Sequence, residues 1–206
     1  TIVTDPTLAT NKVGRVVKTN TAELWAGVSV TALAGTVQTS FANAIPFTAT
    51  ERRMNIRVWS PHAGIQVRLK VEDKNDGTRS VETEATVTVA SGWQTLEFNF
   101  NNQAAGTAGF NPAFTYNKAS IFFNFGVTGA TAGERIYLFD DVKFGAATIT
   151  PPTLTQMNLP VTFDDVTVNY GLVGFGGAEQ ATIVTDPTLA TNKVGRVVKT
   201  NTAELW

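Results

Sequence analysis

The sequence predicts an all-β fold, a two-sheet jelly-roll sandwich, and three observations support this prediction. Charged residues make up only 16% of the 206 residues, and the β-favouring residues Thr, Val and Phe are abundant. Several stretches alternate apolar and polar residues with the period of a half-buried strand. No long segment has the apolar spacing of an amphipathic helix. The length is sufficient for a substantial core and favours one main domain.

The predicted strands, in chain order, are Gly14–Lys18, Glu23–Val30, Asn55–Trp59, Ile65–Glu72, Glu82–Val89, Trp93–Phe100, Ser120–Phe125, Arg135–Phe144 and Val161–Asp165. The alternation is clearest in Ile65–Glu72, where Val67 and Leu69 would face the core and Arg68 and Lys70 the solvent. Asp76-Gly77 predicts the turn before the next strand. This number of strands is typical of a sandwich.

Residues 1–25 recur without change as residues 182–206, which gives a period of 182 − 1 = 181 residues. An identity of this length favours an array of near-identical domains over an engineered duplication of one end. The chain starts at Thr1 without an initiator methionine or a signal peptide, so it is predicted to lie inside a longer protein.

Pro151 and Pro152 lack amide donors and predict a linker. The predicted division is therefore a main body over 1–145, a linker over 146–159, the first strand region of the next repeat over 160–181, and the duplicate over 182–206. The natural unit would begin near Pro160, so the chain is circularly shifted relative to it. Because both copies should prefer the same place in a sandwich, the second is predicted to bind a neighbouring molecule or to take a non-native position.

Composition excludes several classes of function. A net charge of −1 gives no electrostatic reason to expect a nucleic acid or an anionic membrane as partner. The absence of cysteine excludes disulfides and thiolate metal sites, and the single His62 argues against histidine-based centres. No apolar run is long enough for membrane insertion. Low charge with abundant Thr, Asn and Gly is typical of secreted or cell-surface bacterial proteins.

The sequence carries no convincing catalytic motif, and the chain is predicted not to be an enzyme. Glu82 and Glu84 alternate onto one strand face with Glu72 nearby, a pattern that could serve acid-base hydrolysis but is more often solvated surface. No nucleophile elbow is present. The glycine-bearing string over 171–177 lacks the Lys-Ser/Thr of a phosphate loop.

Four strings follow one another in a characteristic order: WAGVSV, IRVWSPHAGIQVRLKVEDKND, SGWQTLEFNF and YLFDDVKF. In this order the chain resembles the carbohydrate-binding-module jelly rolls, broadly the galactose-binding-like class, of bacterial secreted and surface proteins. The resemblance implies a structural calcium ion held between the first and last strands. The matching positions are Asp164 and Asp165 after Phe163, and Asp140 and Asp141 after Phe139. The alternative is that each acidic pair only marks a strand end.

The resemblance also implies binding of glycans through aromatic platforms and nearby polar groups. The candidate residues are Trp59, Arg57, Arg68, Lys70 and Glu84. A solvated polar face is the alternative for them. Trp25 and Trp93 lie within the framework strings and are predicted to be packing residues.

Two functions are compatible with these observations. The first is a structural repeat of an extracellular bacterial filament, stalk or adhesin, with calcium-stiffened units. Its partners would be neighbouring copies, assembled head to tail by exchange of a strand or terminal segment. The second is a non-catalytic carbohydrate-binding module whose several copies increase avidity for a polysaccharide.

Overall fold

A computed structural model describes residues 1–31, 33–34, 37–38, 40–147, 159–165, 168, 170–201 and 203, with the backbone alone for 33–34 and 37–38. The chain divides into two compact units, Thr1–Ile149 and Thr150–Trp206. We call them the main unit and the C-terminal unit and describe each by itself. The predicted linker over 146–159 lies mostly outside the described residues, and the predicted domain boundaries stay predictions.

The main unit consists almost entirely of strands. Their bounds, in chain order, are β1 (Ile2–Asp5), β2 (Leu8–Lys18), β3 (Val28–Val30), β4 (Leu33–Ala34), β5 (Val37–Gln38), β6 (Arg53–Ser60), β7 (Gln66–Asp73), β8 (Asp76–Thr86), β9 (Gly92–Asn99), β10 (Lys118–Phe123) and β11 (Arg135–Phe144). One short helix, α1 (Gly129–Ala132), precedes β11.

Two antiparallel sheets form the body of the main unit. The five-stranded sheet has the order β1-β2-β11-β6-β9, and the four-stranded sheet has the order β3-β10-β7-β8. The short strands β4 and β5 pair with each other. This arrangement confirms the predicted all-β, two-sheet jelly-roll sandwich, while the circular shift relative to a natural unit stays a prediction.

The core lies between the two sheets because strand alternation sends one set of side chains inward. Ile56 and Val58 of β6 and Val67 and Leu69 of β7 are completely buried and belong to the same cluster. The rings of Phe123 and Tyr137 stack with centroids 4.8 Å apart, which joins β10 to β11 across the interior. The residues between these positions face outward and form the two outer faces.

Three predictions about local structure are wrong. Asp76-Gly77 is not a turn but the start of β8, since the chain turns at Lys74-Asn75. Only Val28–Val30 of the predicted strand Glu23–Val30 is extended, because two consecutive turns precede it, closed by Ala22 N–Thr19 O and Ala26 N–Glu23 O. Val161–Asp165 forms no strand; Phe163 has a φ of 61°, which breaks extended structure.

The C-terminal unit contains a hairpin of β12 (Thr182–Thr185) and β13 (Lys193–Arg196). Its register repeats that of β1 and β2: Ile183 faces Gly195 as Ile2 faces Gly14. Each copy also has an aspartate at the loop, Asp5 or Asp186. Its side chain accepts a hydrogen bond of 2.8 Å from the backbone nitrogen of the threonine two residues later, Thr7 or Thr188. The repeated sequence therefore forms the same hairpin register twice, although β13 is shorter than β2 because residues 189–192 form a turn where Leu8–Asn11 are extended.

No helix in the described part of the chain is long and apolar enough to cross a membrane.

Candidate functional site

The five predicted glycan-contacting residues lie on two different outer faces. Arg57 and Trp59 are on β6, on the outer face of the five-stranded sheet. Arg68 and Lys70 on β7 and Glu84 on β8 share the outer face of the four-stranded sheet. Each face carries an arginine that contacts an aromatic ring and two carboxylates, so the two clusters can be compared directly.

The arginine of the five-stranded sheet belongs to a closed cluster. The Arg57 guanidinium lies 3.9 Å from the centre of the Trp93 ring, 3.0 Å from Asp5 and 3.7 Å from Asp140. Asp5, at the tip of the first hairpin, has a completely buried side chain and also accepts from Trp93 Nε1 at 3.3 Å. Asn11 donates to both Asp5 and Asp140. The cluster thus anchors the hairpin tip over the sheet, and Trp93 is a packing residue as predicted.

The hydrogen bonds at Asp5 control its ionisation. Burial alone would raise the pKa of the Asp5 carboxyl, but donors from Thr7, Asn11 and Arg57 outweigh burial and hold that pKa far below its usual 3.8. A carboxylate whose pKa is lower in the folded state than in the unfolded state stabilises the fold above the unfolded value. That contribution to stability is lost progressively as the pH falls from the unfolded-state pKa toward the folded-state pKa.

We therefore expect acid to destabilise the unmodified chain more than an Asp5→Asn variant. Lowering the pH from about 5 to about 2.5 should reduce the melting temperature of the unmodified chain by the larger amount, because only in that chain does unfolding release a carboxylate at position 5 that takes up a proton. Calorimetric melting at a series of pH values measures both losses. Equal losses in the two chains would contradict this role of Asp5.

Trp59 lies on the same face, directly across from Trp93 on one side and from Leu138 on the other. Its ring is partly exposed. The cross-strand partners place Arg15, Leu138, Trp59 and Trp93 in one row over four strands. Among these, Leu138 is only 6% exposed. This face therefore offers one partly exposed indole beside a cluster that is already closed.

The arginine of the four-stranded sheet belongs to a second network, in which both carboxylates are partly exposed. Arg68 Nε and Nη2 both donate to Glu84 Oε1, at 2.9 and 2.7 Å, and Nη1 donates to Glu82 at 2.9 Å. The guanidinium stacks 3.6 Å from the centre of the Phe125 ring, which contacts Phe122 edge-on. The carboxylate side chains of Glu82 and Glu84 remain 22% and 30% exposed. Fixed donors and acceptors thus stand at the surface on an aromatic base.

A second group of charges continues this network along the sheet. Glu72 accepts from Lys70 at 2.6 Å and from Lys118 at 2.7 Å. Burial opposes ionisation of Glu72, but the two lysines lower the pKa of its carboxyl below the usual range. Ser29 and Ser120 share a hydrogen bond of 3.1 Å beside this group. We name the surface formed by Arg68, Lys70, Glu72, Glu82, Glu84 and Lys118 the polar face.

Trp25 differs from its prediction as a packing residue. It is 61% exposed, although the carbonyl oxygen of the preceding Leu24 accepts from Lys18 Nζ and from the Gly126 nitrogen. Gly27, two residues later, lies against the Phe122 ring so closely that a Cβ there would be 2.3 Å from Phe122 Cδ1. The loop that carries Trp25 therefore joins the edge of the four-stranded sheet.

The four predicted calcium ligands are divided between the two units. In the main unit, Asp140 is engaged by Asn11 and Arg57, and Asp141 pairs with Lys143 at 3.0 Å. In the C-terminal unit, Asp164 accepts from the backbone nitrogen of Lys193 at 3.2 Å, and Asp165 also has an interaction partner. The described residues contain no group of three or more His, Cys, Asp and Glu side chains suited to a metal ion. Calcium binding stays a prediction.

No protein-family model matches the chain, and no curated protein matches it. Among solved structures it is similar to the family 30 carbohydrate-binding module of a Clostridium thermocellum cellulosomal cellulase, with 12% identity and a TM-score of 0.43 over 72% of this chain and 83% of that one. A second family 30 module has 12% identity and a TM-score of 0.41 over 70% and 73% of the two chains. A Clostridium thermocellum family 11 module in complex with a β-1,3-1,4-mixed-linked tetrasaccharide has 14% identity and a TM-score of 0.34 over 71% and 95%. All three belong to the class that the sequence strings resemble.

Proposed function

We propose that the main unit is a non-catalytic carbohydrate-binding module that acts outside the cell and binds a neutral polysaccharide on the polar face. The observation that carries this proposal is the Arg68 network, in which a guanidinium is held between a Phe125 ring and the carboxylates of Glu82 and Glu84. Sugar hydroxyls are recognised by donors and acceptors whose positions are fixed in advance, because less entropy is then lost on binding.

The charges of the polar face favour an uncharged ligand. Its three cations are Arg68, Lys70 and Lys118, and its three carboxylates are Glu72, Glu82 and Glu84, all of them joined in ion pairs. A surface with balanced and paired charges does not attract an anionic polymer over long distances. It can still exchange hydrogen bonds with hydroxyl groups.

The same contacts support a binding role over hydrolysis. Acid-base cleavage of a glycoside needs one carboxyl group protonated and a second ionised. Glu82 and Glu84 both accept hydrogen bonds from the one Arg68 guanidinium, at 2.7 to 2.9 Å, so both are held in the same ion pair. The two acids that the sequence places together thus share one structural partner and are fixed in position, which suits them to hold a ligand.

Affinity electrophoresis tests this proposal with the full chain. The gels contain one soluble polysaccharide each, from a panel of neutral polymers that includes mixed-linked β-1,3-1,4-glucan and galactan. We expect the unmodified chain to be retarded by at least one of them, and Glu84→Ala to weaken binding by about tenfold. Trp59→Ala, on the opposite outer face, is the matched control and should bind normally.

The outcomes separate the function from its location. Loss of retardation in Trp59→Ala with normal binding in Glu84→Ala would move the binding surface to the five-stranded sheet, where the sequence places Arg57 and Trp59 as candidates. Absence of retardation by every neutral polymer would contradict the proposed function itself.

A second function is favoured by the C-terminal unit, which rebuilds the first hairpin with the same register. We propose that the chain is also a repeating unit of an extracellular filament, stalk or adhesin. Electron microscopy of an array of several 181-residue units should then show extended particles. Loosening of these particles by a chelator would support the predicted calcium ligands Asp140, Asp141, Asp164 and Asp165. Compact, separate particles would contradict the repeat function.

A further inference from the structure

We propose that residues 178–199 of one chain replace residues 1–18 in the sandwich of a second copy, so that chains join head to tail. This inference deepens the proposed repeat function and is independent of polysaccharide binding. It names the segment that is exchanged and the surface that receives it. Four observations carry it, and they concern local structure, burial, strand pairing and open space.

The two copies of the repeat are interchangeable in local structure. Both hairpins have the same register, and both loops are closed by an aspartate that accepts from the threonine two residues later. Lys12 donates to Thr4 in the first copy as Lys193 donates to Thr185 in the second. The second hairpin therefore already has the register of the first, and β13 (Lys193–Arg196) would have to lengthen at both ends to match β2 (Leu8–Lys18).

The first copy has contacts that the second copy lacks in the C-terminal unit. Val16 is 7% exposed, whereas the equivalent Val197 is 66% exposed. Lys18 is buried and donates to the carbonyl oxygens of Leu24, Phe123 and Asn124, whereas the equivalent Lys199 is exposed. A second copy placed in the sandwich of another chain would thus bury Val197 and give Lys199 the hydrogen bonds of Lys18. Its own unit leaves both residues at the surface.

The second copy also carries a strand extension. In the C-terminal unit, Ala178 bridges to Lys199, and the Glu179 nitrogen donates to the Val198 oxygen at 3.0 Å. In the main unit, the pairing of β1 with β2 reaches Arg15, which exchanges hydrogen bonds with Thr1. The edge of β2 beyond Arg15, at Val16–Lys18, is the position at which Ala178 and Glu179 would pair. The incoming copy therefore brings edge pairing in addition to the contacts that it replaces.

Open space in the main unit lies where this extension would go. A cavity of about 290 Å³ is lined by Arg15, the β2 segment Val16–Lys18 and the loop residues Ala26 and Gly27. The segment before Ala178 has apolar side chains that its own unit does not cover, since Val173 is 78% and Phe175 is 80% exposed. In the proposed exchange, this uncovered apolar segment of one chain would lie along the edge of β2 beyond Arg15 in a second chain, which is how strands are exchanged between subunits. Such a contact is heterologous and propagates as an open chain.

Engineered disulfides test the exchange because the native chain has no cysteine. In the main unit Ile136 of β11 lies directly opposite Val17 of β2, and Val198 is the equivalent of Val17 in the second copy. Full chains carrying Ile136→Cys are unfolded together with full chains carrying Val198→Cys, refolded at high concentration and oxidised. We expect the 136–198 disulfide to be the main product that joins two different chains, because directly opposed strand residues have the spacing of a disulfide.

Two controls make the result specific. Thr95→Cys replaces Ile136→Cys on the exposed side of β9, away from β2, and its yield with Val198→Cys should be lower by about tenfold or more. Adding Lys199→Ala to the Val198→Cys chain should reduce the 136–198 yield about tenfold, because an alanine side chain cannot take over the hydrogen bonds of Lys18. Lys193→Ala removes the same charge, but the bond that it deletes, from Lys193 to Thr185, lies within the hairpin and is present before and after the exchange. This variant should leave the yield unchanged.

Equal yields at positions 136 and 95 would overturn the exchange. So would yields that do not respond to Lys199→Ala. If extended particles still form from repeat arrays in either case, the repeat function survives and only its proposed joint is wrong.

Discussion

Replacing Asp5 by alanine is expected to lower the free energy of unfolding of the main unit by about 3 kcal/mol, the range found when one partner of a buried ion pair is removed. The side chain of Asp5 is completely buried, forms an ion pair with Arg57 at 3.0 Å and accepts a hydrogen bond from Trp93 Nε1 at 3.3 Å. Without it, the Trp93 indole nitrogen loses its partner and Arg57 keeps only Asp140 at 3.7 Å. The hairpin tip is then no longer anchored over the five-stranded sheet.

The second copy provides the control for this variant. Asp186 occupies the same sequence context and makes the same loop hydrogen bonds to Thr188 and Asn192, which lower the pKa of its carboxyl to about 2. Asp186 is partly exposed and has no arginine partner among the described residues. Asp186→Ala should therefore leave the urea unfolding of the main unit, followed by tryptophan fluorescence, almost unchanged. Equal destabilisation by the two variants would show that Asp5 stabilises the main unit through its loop hydrogen bonds and not through the Arg57 cluster.

Replacing Gly14 by valine is expected to destabilise the main unit by about 3 kcal/mol, at the upper end of the cost of overpacking. A Cβ at Gly14 would lie 2.5 Å from Phe139 Cε1 and 2.7 Å from Cζ. The Phe139 ring packs against the core and cannot withdraw without opening a gap beside it. Urea unfolding measures the change.

Gly195→Val is the matched variant in the second copy. There the nearest ring, that of Phe163, lies 3.5 Å from the Cβ position, which is an ordinary contact. We expect a change of about 0.5 kcal/mol or less. A cost at Gly14 as small as that at Gly195 would mean that β2 moves away from β11 without penalty, contrary to the packing described.

The sequence predicts four residues of the polar face, Arg68, Lys70, Glu82 and Glu84, because their placement depends on alternation within two strands. In Ile65–Glu72 every second residue is apolar, so a strand must place Arg68 and Lys70 on one side. The same argument places Glu82 and Glu84 on one side of the neighbouring strand. Pairing of β7 with β8 then brings Arg68 opposite Glu84. Local periodicity and one hairpin are sufficient for these four residues, whereas Lys118 is brought opposite Glu72 by the pairing of β10 with β7 and was not predicted.

The Arg57 cluster could not be predicted in the same way. Asp5 is recognisable in the sequence only as the start of a turn, Asp5-Pro6-Thr7. Its contact with Arg57 spans 52 residues and depends on the strand order, which places the first hairpin beside β11 and β6. Asn11 and Phe125 were missed for the same reason. No local signal gives the partner of a side chain that is brought in by sheet topology.

The wrong turn before β8 has a different cause. The string DKNDG contains several residues that favour turns, and Asp76-Gly77 is the strongest pair among them by sequence rules. In the fold, the Asp73 side chain accepts a hydrogen bond from the Asn75 nitrogen at 2.9 Å. The side-chain oxygen of Asn117 accepts another from the backbone nitrogen of Lys74 at 2.8 Å. A contact from a distant residue thus selects one of two adjacent turns.

The most direct test of the central claim is an NMR titration of the full chain with soluble mixed-linked β-1,3-1,4-glucan, or with another neutral polysaccharide that retards it in a gel. We expect saturable shifts of amide signals in β7 and β8, around Arg68 and Glu84, with β6 and β9 unaffected. Shifts confined to the strands of Trp59 and Trp93, or no shifts with any neutral polymer that was retained, would contradict binding at the polar face.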